Sequence, residues 1–422
     1  MKLSKKILFP LYIAAITAQA YAHSPFKSPI QQKYQIRSLT DTTEKPLGEI
    51  LTGAAQTEKY LPMLKGKRIG MVVNPTSVIG KTTVVDSLIR LGINIVKIFG
   101  PEHGFRGNAS AGITVNDAVD QKTGIPVVSL YGKHETPNTT DLADIDIMIF
   151  DIQDVGVRFY TYINTLQHVM QACAENKKEL IILDRPNPNG FYVDGPVLDP
   201  KLISGLGLQP IPIVHGLTVG EYAQMLNGES WLTNKLKCKI KIIKVANYTH
   251  DMPYELPVKP SPNLNSQQSI MLYPTLCLFE GTYISQGRGT EYPFTVLGAP
   301  ALKGKYDFVF TPKSIKGMAE TPLHQDQECY GLDLRNYDIS NIRKDKTLNI
   351  KWLIELYQAY PDKADFFNFK LSKQMGNIDK LAGVYTLKEQ IIAGKSEKEI
   401  RESWEPGLSQ YKAMRKKYLL YP

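Results

Sequence analysis

Short apolar runs alternate with segments of helical spacing between Lys67 and Val245. The runs are rich in β-branched residues, which is typical of strands buried on both faces. The predicted strands are 68–74, 94–99, 126–132, 144–154, 179–184 and 239–245. The predicted helices are 82–92, 160–178 and 217–232, the last opened by Thr218 and Glu221 at capping-box spacing. This alternation predicts an α/β fold with a parallel sheet and helices on both faces.

The second half of the chain has a different pattern. From about Asn263 to Pro300 it is rich in glycine and aromatic residues and has little helical periodicity. We predict that this segment, which carries Glu280 and Arg288, is a loop that crosses back over a cleft. A helical pattern returns after Asn349 and continues to the C-terminus.

The N-terminus has the three parts of a secretory signal peptide. A basic start, MKLSKK, precedes a short apolar run and the small-x-small site Ala20-Tyr21-Ala22. We therefore expect residues 1–22 to be removed and the protein to be secreted, with the periplasm as the favoured location. No cysteine follows the apolar run, and no later run is long enough to span a bilayer, so we expect no membrane anchor in the mature chain.

Composition narrows the possible functions. The chain has 422 residues, 43% apolar and 22% charged, as is ordinary for a globular protein. Loss of the signal peptide would lower the formal charge from +9 to +6. The lysines of 235–244 alternate with apolar residues, which is typical of a solvated strand face and not of a basic nucleic-acid-binding patch. We therefore expect no nucleic-acid partner. The four cysteines form no CxxC pair and no HExxH occurs, so these metal-site patterns are missing from the sequence. No GxGxxG occurs, and Pro75 breaks a P-loop pattern, so the sequence has no nucleotide-binding motif of either kind. We therefore predict no metal and no nucleotide cofactor.

Polar side chains follow five of the predicted strands. Because parallel strands end at the same edge of a sheet, and ligands bind beyond that edge, we expect these side chains to form a cleft floor. They are Asn74, Thr76, Ser77, Glu102, His103, Arg106, Tyr131, Asp151, Gln153, Asp154, Asp184, Arg185 and Asn187.

Carboxylates are the candidate catalytic groups. Glycoside hydrolysis requires two carboxyl-type groups, or one acid and a group of the substrate, around a positively charged transition state. Glu102 lies at a strand end, where partial burial would raise its pKa and make it a proton donor. The alternative is an ion pair with Arg106, which would lower that pKa.

Six segments resemble the bacterial exo-β-N-acetylmuramidase family, also called NamZ-like. They are GPEHGFRG (100–107), DIQDVGVRFYTY (151–162), LDRPNPNG (183–190), HGLTVGEYA (215–223), PSPN (260–263) and FEGTYISQGRGTEYPFTVLGAP (279–300). The resemblance extends from about Lys67 to the C-terminus. It implies release of N-acetylmuramic acid from the non-reducing end of peptidoglycan fragments, without a metal or nucleotide.

The resemblance also implies a domain organisation. A Rossmann-like catalytic domain, 51–262, would be followed by a smaller C-terminal α/β domain, 263–422, with the active site in the cleft between them. We assign residues 1–22 to the signal peptide and 23–50 to an N-terminal arm.

Candidate substrate contacts follow from the chemistry of the sugar. The lactyl carboxylate of N-acetylmuramic acid calls for a guanidinium group, which binds carboxylates in a bidentate manner. The candidate arginines are Arg106, Arg158, Arg185 and Arg288. Tyr160 could stack on the sugar, and the other candidate contacts are Gln153, Asn187, Asn263, Asp151, Asp184, His103 and His215.

In the predicted mechanism Glu102 protonates the leaving oxygen, while Asp154 or Glu280 activates water or stabilises the positive charge. Alternatively, the acetamido oxygen of the substrate attacks, oriented by an aspartate; the sequence leaves these routes open. Two other functions also stay open: a secreted muropeptide-binding protein without catalysis, and an amidase or esterase acting on muropeptides.

Overall fold

The computed structural model describes residues 48–101, 104–106, 118–368 and 377–422. The predicted signal peptide, the arm up to residue 47 and the candidate residues Glu102 and His103 lie outside these ranges. The predictions made for them therefore stay predictions.

The strands and helices agree with most of the predicted pattern. In chain order the strands are β1 Arg68–Val73, β2 Val78–Ile79, β3 Thr82–Thr83, β4 Asn94–Gly100, β5 Ala118–Val119, β6 Pro126–Ser129, β7 Ile147–Asp151, β8 Glu179–Leu183, β9 Asp194–Val197, β10 Pro212–Val214, β11 Lys239–Ile243, β12 Val296–Ala299, β13 Phe308–Phe310 and β14 Cys329–Asp333. The helices are α1 Leu61–Leu64, α2 Val84–Arg90, α3 Thr139–Leu142, α4 Tyr162–Glu175, α5 Val219–Gly228, α6 Gln267–Leu276, α7 Ser340–Asp345, α8 Lys351–Ala359, α9 Lys363–Phe366, α10 Ile378–Ala382, α11 Thr386–Ile392 and α12 Glu397–Arg415.

The central sheet has the strand order β11-β8-β7-β1-β4-β6-β5. Every neighbouring pair is parallel except β5 with β6. From β1 the chain passes to β4 and β6 on one side, then returns to β7, β8 and β11 on the other. This is the strand order of a Rossmann fold, and the predicted α/β fold class is confirmed.

The parallel arrangement brings the predicted strand ends to one edge. The ends of β8, β7, β1, β4 and β6 lie side by side in that order. The reversal of strand order falls between β1 and β7, which is where ligands bind in folds of this kind. Asn74 and Ile152 follow these two strands directly.

Two apolar clusters cover the two faces of the sheet. Alternate side chains of β1 point to opposite faces, so Ile69, Met71 and Val73 join one cluster and Val72 joins the other. The cluster that contains Val72 also includes Trp404 of α12 and many other C-terminal residues. The first and second halves of the chain therefore share a core.

Helix α6 and the turn after it correct the predicted loop of the second half. The α6 helix is followed by a 3-10 turn, Cys277–Gly281, which contains Glu280. From Ser269 to Leu276 every residue of α6 is buried. A helix that is buried on every face from Ser269 onward shows no amphipathic period, which is why the sequence pattern did not reveal it. The capping box of α5 is confirmed. Among the described helices, none is both long and apolar enough to cross a bilayer.

Candidate active site

Asp154, His215 and Tyr222 form a buried polar cluster beyond the sheet edge. Asp154 Oδ2 accepts the N–H of Gly156 at 2.6 Å and lies 3.5 Å from His215 Nε2. His215 Nδ1 accepts the N–H of Leu217 at 3.2 Å, so a neutral ring carries its proton on Nε2, facing Asp154. Three atoms of the cluster have no hydrogen-bond partner within the described residues: Asp154 Oδ1, His215 Nε2 and Tyr222 Oη. Buried polar groups are normally paired, so these atoms mark a place for water or substrate.

Gln153 extends this cluster toward β1. Its Nε2 donates to the carbonyls of Asp154 and Pro186, at 2.8 and 2.7 Å, which leaves its Oε1 without a partner in the described parts of the chain. The Gln153 N–H donates to Thr76 Oγ1, and Asn74 Nδ2 is a second buried donor without a described acceptor. The switch point between β1 and β7 thus presents fixed, unused polar atoms.

Asp151 and Arg185 form a buried ion pair behind this edge. Arg185 Nε and Nη2 lie 2.6 and 2.9 Å from the two carboxylate oxygens, and Nη2 also donates to the carbonyl of Val78. The two side chains are 0% and 2% exposed. Each group satisfies the other, so the pair holds β7, β8 and the loop after β1 together.

Asp184 is an anchor for other parts of the chain. Its Oδ2 accepts hydrogen bonds from Tyr421 and Thr218, at 2.6 and 2.7 Å, and its Oδ1 accepts the N–H groups of Gly220 and Arg185. Burial raises the pKa of Asp184 to about 6, although these donors act in the opposite direction. Its two oxygens are occupied, so the structure gives it no contact free for a sugar.

Arg158 is held by backbone carbonyls from two parts of the chain. It is fully buried, and its guanidinium donates to the carbonyls of Pro196, Ile211, Leu381 and Ala382 at 2.7–3.1 Å. Burial lowers its pKa to about 9, which leaves it charged at neutral pH. The expected contact with a lactyl carboxylate is thus replaced by a clamp on four backbone carbonyls.

The other predicted contacts on this side also bind the protein itself. Asn187 donates to the carbonyl of Leu217 and accepts the N–H of Asn189. Tyr160 donates its hydroxyl proton to the carbonyl of Pro260 at 2.7 Å. Asn263 Nδ2 donates to the carbonyl of Met318, and its buried Oδ1 accepts no hydrogen bond from the described residues. These groups shape the loops around the cleft.

Glu280 and Arg288 form a second, separately held pair. Glu280 Oε1 lies 2.8 and 2.7 Å from Arg288 Nε and Nη2 and accepts Gln286 Nε2 at 3.1 Å. The Arg288 guanidinium lies 5.1 Å from the centre of the Phe294 ring. The pair therefore places a carboxylate and a guanidinium group side by side at the turn after α6.

An aromatic chain connects this pair to the loop after β7. The ring of Tyr273 lies 4.9 Å from Phe294 and 6.0 Å from Tyr160. Rings in edge-to-face contact pack rigidly and fix the relative placement of the segments that carry them. Glu280 and the loop that begins at Asp154 are therefore braced by the same core.

Arg106 pairs with a carboxylate that the sequence analysis did not consider, Asp120. Its Nε and Nη2 lie 2.5 and 2.7 Å from the carboxylate of Asp120, and Asp86 lies 3.6 Å away. The Arg106 guanidinium is the largest of the groups that lower the pKa of Asp120, to about 2. The expected proton donor Glu102 and its neighbour His103 lie outside the described residues.

Sequence reasoning placed Asn74 at the sheet edge but missed Tyr222 as a site group. Tyr222 lies within the HGLTVGEYA segment. The capping box at Thr218 was the available signal, because it fixes where helix α5 begins and therefore which of its faces is buried.

Within the described residues, no three histidine, cysteine or acidic side chains are grouped to hold a metal ion.

Comparison with known proteins identifies the family. Two models match nearly end to end: the N-terminal part of exo-beta-N-acetylmuramidase NamZ over residues 69–268, and its C-terminal part over residues 271–421. The chain belongs to the NamZ exo-β-N-acetylmuramidase family. This is a family of glycoside hydrolases, so the resemblance and the enzyme class predicted from sequence are confirmed.

Relatives of the NamZ family match over almost the whole chain. The peptidoglycan beta-N-acetylmuramidase NamZ of Bacillus subtilis (strain 168) is 38% identical over 403 residues, which is 91% of this chain and 94% of that protein. A crystal structure of a DUF1343 family protein from Bacteroides fragilis is 44% identical, with a TM-score of 0.80, over 89% of this chain and 99% of that one. A second such protein from the same organism is 29% identical, with a TM-score of 0.75, over 88% and 99%.

Proposed function

We propose that this protein is an exo-acting glycoside hydrolase that releases N-acetylmuramic acid from the non-reducing end of peptidoglycan fragments during cell-wall turnover or recycling. The observation that carries the proposal is the match of both NamZ models across residues 69–421. The described geometry supports it, because buried carboxylates and unused polar atoms lie where a Rossmann sheet binds its ligand.

The proposed chemistry assigns a task to three carboxyl groups. Glu102 donates a proton to the leaving oxygen. Asp154, held by Gly156 and His215, has an unpaired Oδ1 that can accept a proton from water or orient an acetamido group. Glu280, paired with Arg288, is suited to stabilising positive charge at the sugar.

The test uses a defined disaccharide. Purified protein is incubated with N-acetylmuramyl-β-1,4-N-acetylglucosamine, and free sugars are measured by mass spectrometry, with N,N′-diacetylchitobiose as the control that lacks the lactyl group. Release of N-acetylmuramic acid supports the proposal. Binding without release would support a muropeptide-binding protein, and release of peptide from an intact muropeptide would support an amidase.

Variants separate the roles of the two described carboxylates. We expect Asp154→Asn and Glu280→Gln to lower kcat by a factor on the order of 100 or more if each acts in the chemical step. A variant with normal kcat and unchanged KM would remove its residue from the mechanism. Thermal melting of each variant controls for loss of the fold.

We also propose that the chain is exported to the periplasm after cleavage behind Ala22. The basic, apolar and small-residue segments of 1–22 support this. Cell fractionation and the intact mass of the mature protein test it. A cytoplasmic protein that retains residues 1–22 would contradict it.

A further inference from the structure

Two of the four cysteines lie together in the core, although they are far apart in the chain. Cys173 is 0% exposed and Cys238 is 4% exposed, and both belong to the apolar cluster that contains Val72. The Cys238 thiol, which is in hydrogen-bond contact, is the largest of the causes that raise the pKa of Cys173, followed by burial. All four thiols are free in this structure, which therefore describes the reduced protein.

The backbone explains why the two thiols meet. Cys173 lies in the last turn of α4, and its carbonyl accepts the N–H of Lys178 at 2.8 Å. Lys178 directly precedes β8, and Cys238 directly precedes the neighbouring strand β11. The two strands are parallel and pair from Glu179 and Lys239 onward, and neighbouring strands lie about 4.8 Å apart. The end of α4 is thereby brought close to the start of β11.

The protein fixes both partners of this pair. Asn227 of α5 holds the backbone of Cys238, because its Oδ1 accepts the Cys238 N–H at 3.0 Å and its Nδ2 donates to the Cys238 carbonyl at 2.8 Å. The neighbours of Cys173 on α4, Met170 and Ala172, are buried with it. A disulfide forms without strain only where the fold already holds two cysteines at a suitable separation and orientation. A thiol contact between two anchored segments is the observation that favours such a bond here.

The other two cysteines have different neighbours. Cys277 forms a side-chain hydrogen bond with Tyr273, and Cys329 Sγ lies 3.8 Å from the carbonyl oxygen of Gln327. Cys329 also belongs to a separate, smaller apolar cluster. Among the described residues, thiol-to-thiol contact is confined to the first pair. Cys277 and Cys329 therefore serve as internal controls.

We propose that Cys173 and Cys238 are joined by a disulfide bond in the exported protein. The two thiols lose two protons and two electrons, and a disulfide oxidant, either a protein disulfide or glutathione disulfide, takes up both and is released as two thiols. Disulfides form and persist in the bacterial periplasm, so the inference rests on the proposed export and not on the proposed hydrolysis. Because both sulfur atoms are buried in the folded protein, we place this exchange during folding, before α4 and β11 close over the core.

The bond ties α4 to the edge of the central sheet. In the described sheet β11 is an edge strand, with β8 as its neighbour. The closed loop holds about 65 residues, including β8, β9, β10 and α5. Cross-linking a loop of this size lowers the conformational entropy of the unfolded chain. The oxidised protein should therefore unfold at a higher temperature than the reduced protein.

The experiment counts thiols by mass. The full chain is exported and recovered from the periplasm, and residues 23–422 are also made in the reducing cytoplasm. Each protein is unfolded in guanidinium with N-ethylmaleimide, and the intact mass gives the number of labelled cysteines. We expect two labelled cysteines in the exported protein and four in the cytoplasmic protein. Proteolysis without reductant should yield one linked peptide pair, which contains Cys173 and Cys238, and reduction should lower the Tm of the exported protein by about 5 °C or more.

Single substitutions identify the bonded pair. In the exported protein, Cys173→Ser should leave three labelled cysteines, because Cys238 has lost its partner, and reduction should no longer change the Tm. The matched control, Cys277→Ser, should leave one labelled cysteine and keep the fall in Tm on reduction.

Four labelled cysteines in protein whose mass shows cleavage behind Ala22 would overturn the inference, as would a linkage through Cys277 or Cys329. If the chain is not exported, refolding of the cytoplasmic protein from guanidinium in a mixture of reduced and oxidised glutathione decides the question. Linkage of Cys173 to Cys238 then supports the inference, and four free thiols overturn it. Hydrolysis of the disaccharide is measured on separate samples, so an inactive protein with two labelled cysteines contradicts the proposed function alone.

Discussion

The C-terminal tail offers the sharpest test of how the fold is held. The hydroxyl of Tyr421, the second-last residue, donates to Asp184 Oδ2 at 2.6 Å and accepts the N–H of Val245 at 2.9 Å. Asp184 is 0% exposed and Tyr421 is 6% exposed. Replacing Tyr421 by phenylalanine removes one donor from a buried carboxylate and one acceptor from a buried N–H.

The size of the effect follows from these two losses. A hydrogen bond to a charged group contributes about 1.5–3 kcal/mol, and a buried unpaired N–H costs about 1–3 kcal/mol. Because the phenylalanine ring still fills the site, we expect Tyr421→Phe to lower the free energy of unfolding by about 3 kcal/mol at pH 7.5. The loss should be smaller, about 1.5 kcal/mol, at pH 4.5, where a carboxyl with a pKa of about 6 is protonated and the lost bond is between neutral groups.

Urea denaturation followed by fluorescence at both pH values measures this difference. Tyr418→Phe is the matched control, because Tyr418 lies in the same tail and donates to Glu229 at 2.5 Å but is only half-buried. Tyr418→Phe should lower the free energy of unfolding by less than about 1 kcal/mol, as is usual for a polar pair that water still reaches. Equal destabilisation by the two variants at pH 7.5 would refute the reasoning that the buried contact anchors the tail.

Three further predictions follow from buried groups. Burial raises the pKa of Asp184 from 3.8 to about 6 in the folded state. The free energy of unfolding should therefore fall by up to about 3 kcal/mol as pH rises from about 4 to 6. In Asp184→Asn, Tm should depend less on pH over this range than in the wild type. Arg185→Met leaves Asp151 buried and unpaired and should lower the free energy of unfolding by about 3–5 kcal/mol; recovery of stability on adding Asp151→Asn would confirm the cause, and no recovery would contradict it. The four cysteines are buried free thiols and should react with a disulfide reagent only after unfolding in guanidinium; rapid labelling of the native protein would contradict their burial.

Much of the fold could be predicted because its strands are buried on both faces. β7 is buried at all five positions, which leaves a continuous apolar run in the sequence, and edge strand β11 exposes alternate lysines. Two elements had no such signal. The α6 helix is buried on every face from Ser269 to Leu276, and the short β9–β10 pair contains prolines and lacks a clear alternation.

The sequence could place polar residues at the sheet edge but could not say what each one contacts. Arg158 and Arg288 both lie in family motifs, yet one donates only to backbone carbonyls and the other pairs with a carboxylate. The difference depends on Leu381 and Ala382, more than 200 residues from Arg158. Asp184 is likewise satisfied by Tyr421, which lies 237 residues away. Local pattern carries no information about such partners.

The central claim is that this chain cleaves the muramyl glycosidic bond with Glu102 as the proton donor. The most direct measurement compares release of N-acetylmuramic acid from the muramyl-glucosamine disaccharide by the wild type and by Glu102→Gln, with melting curves for both. The account predicts release by the wild type and a loss on the order of a thousandfold in the variant, at unchanged Tm. An intact disaccharide after incubation with the wild type, or release at the wild-type rate by Glu102→Gln, would contradict it.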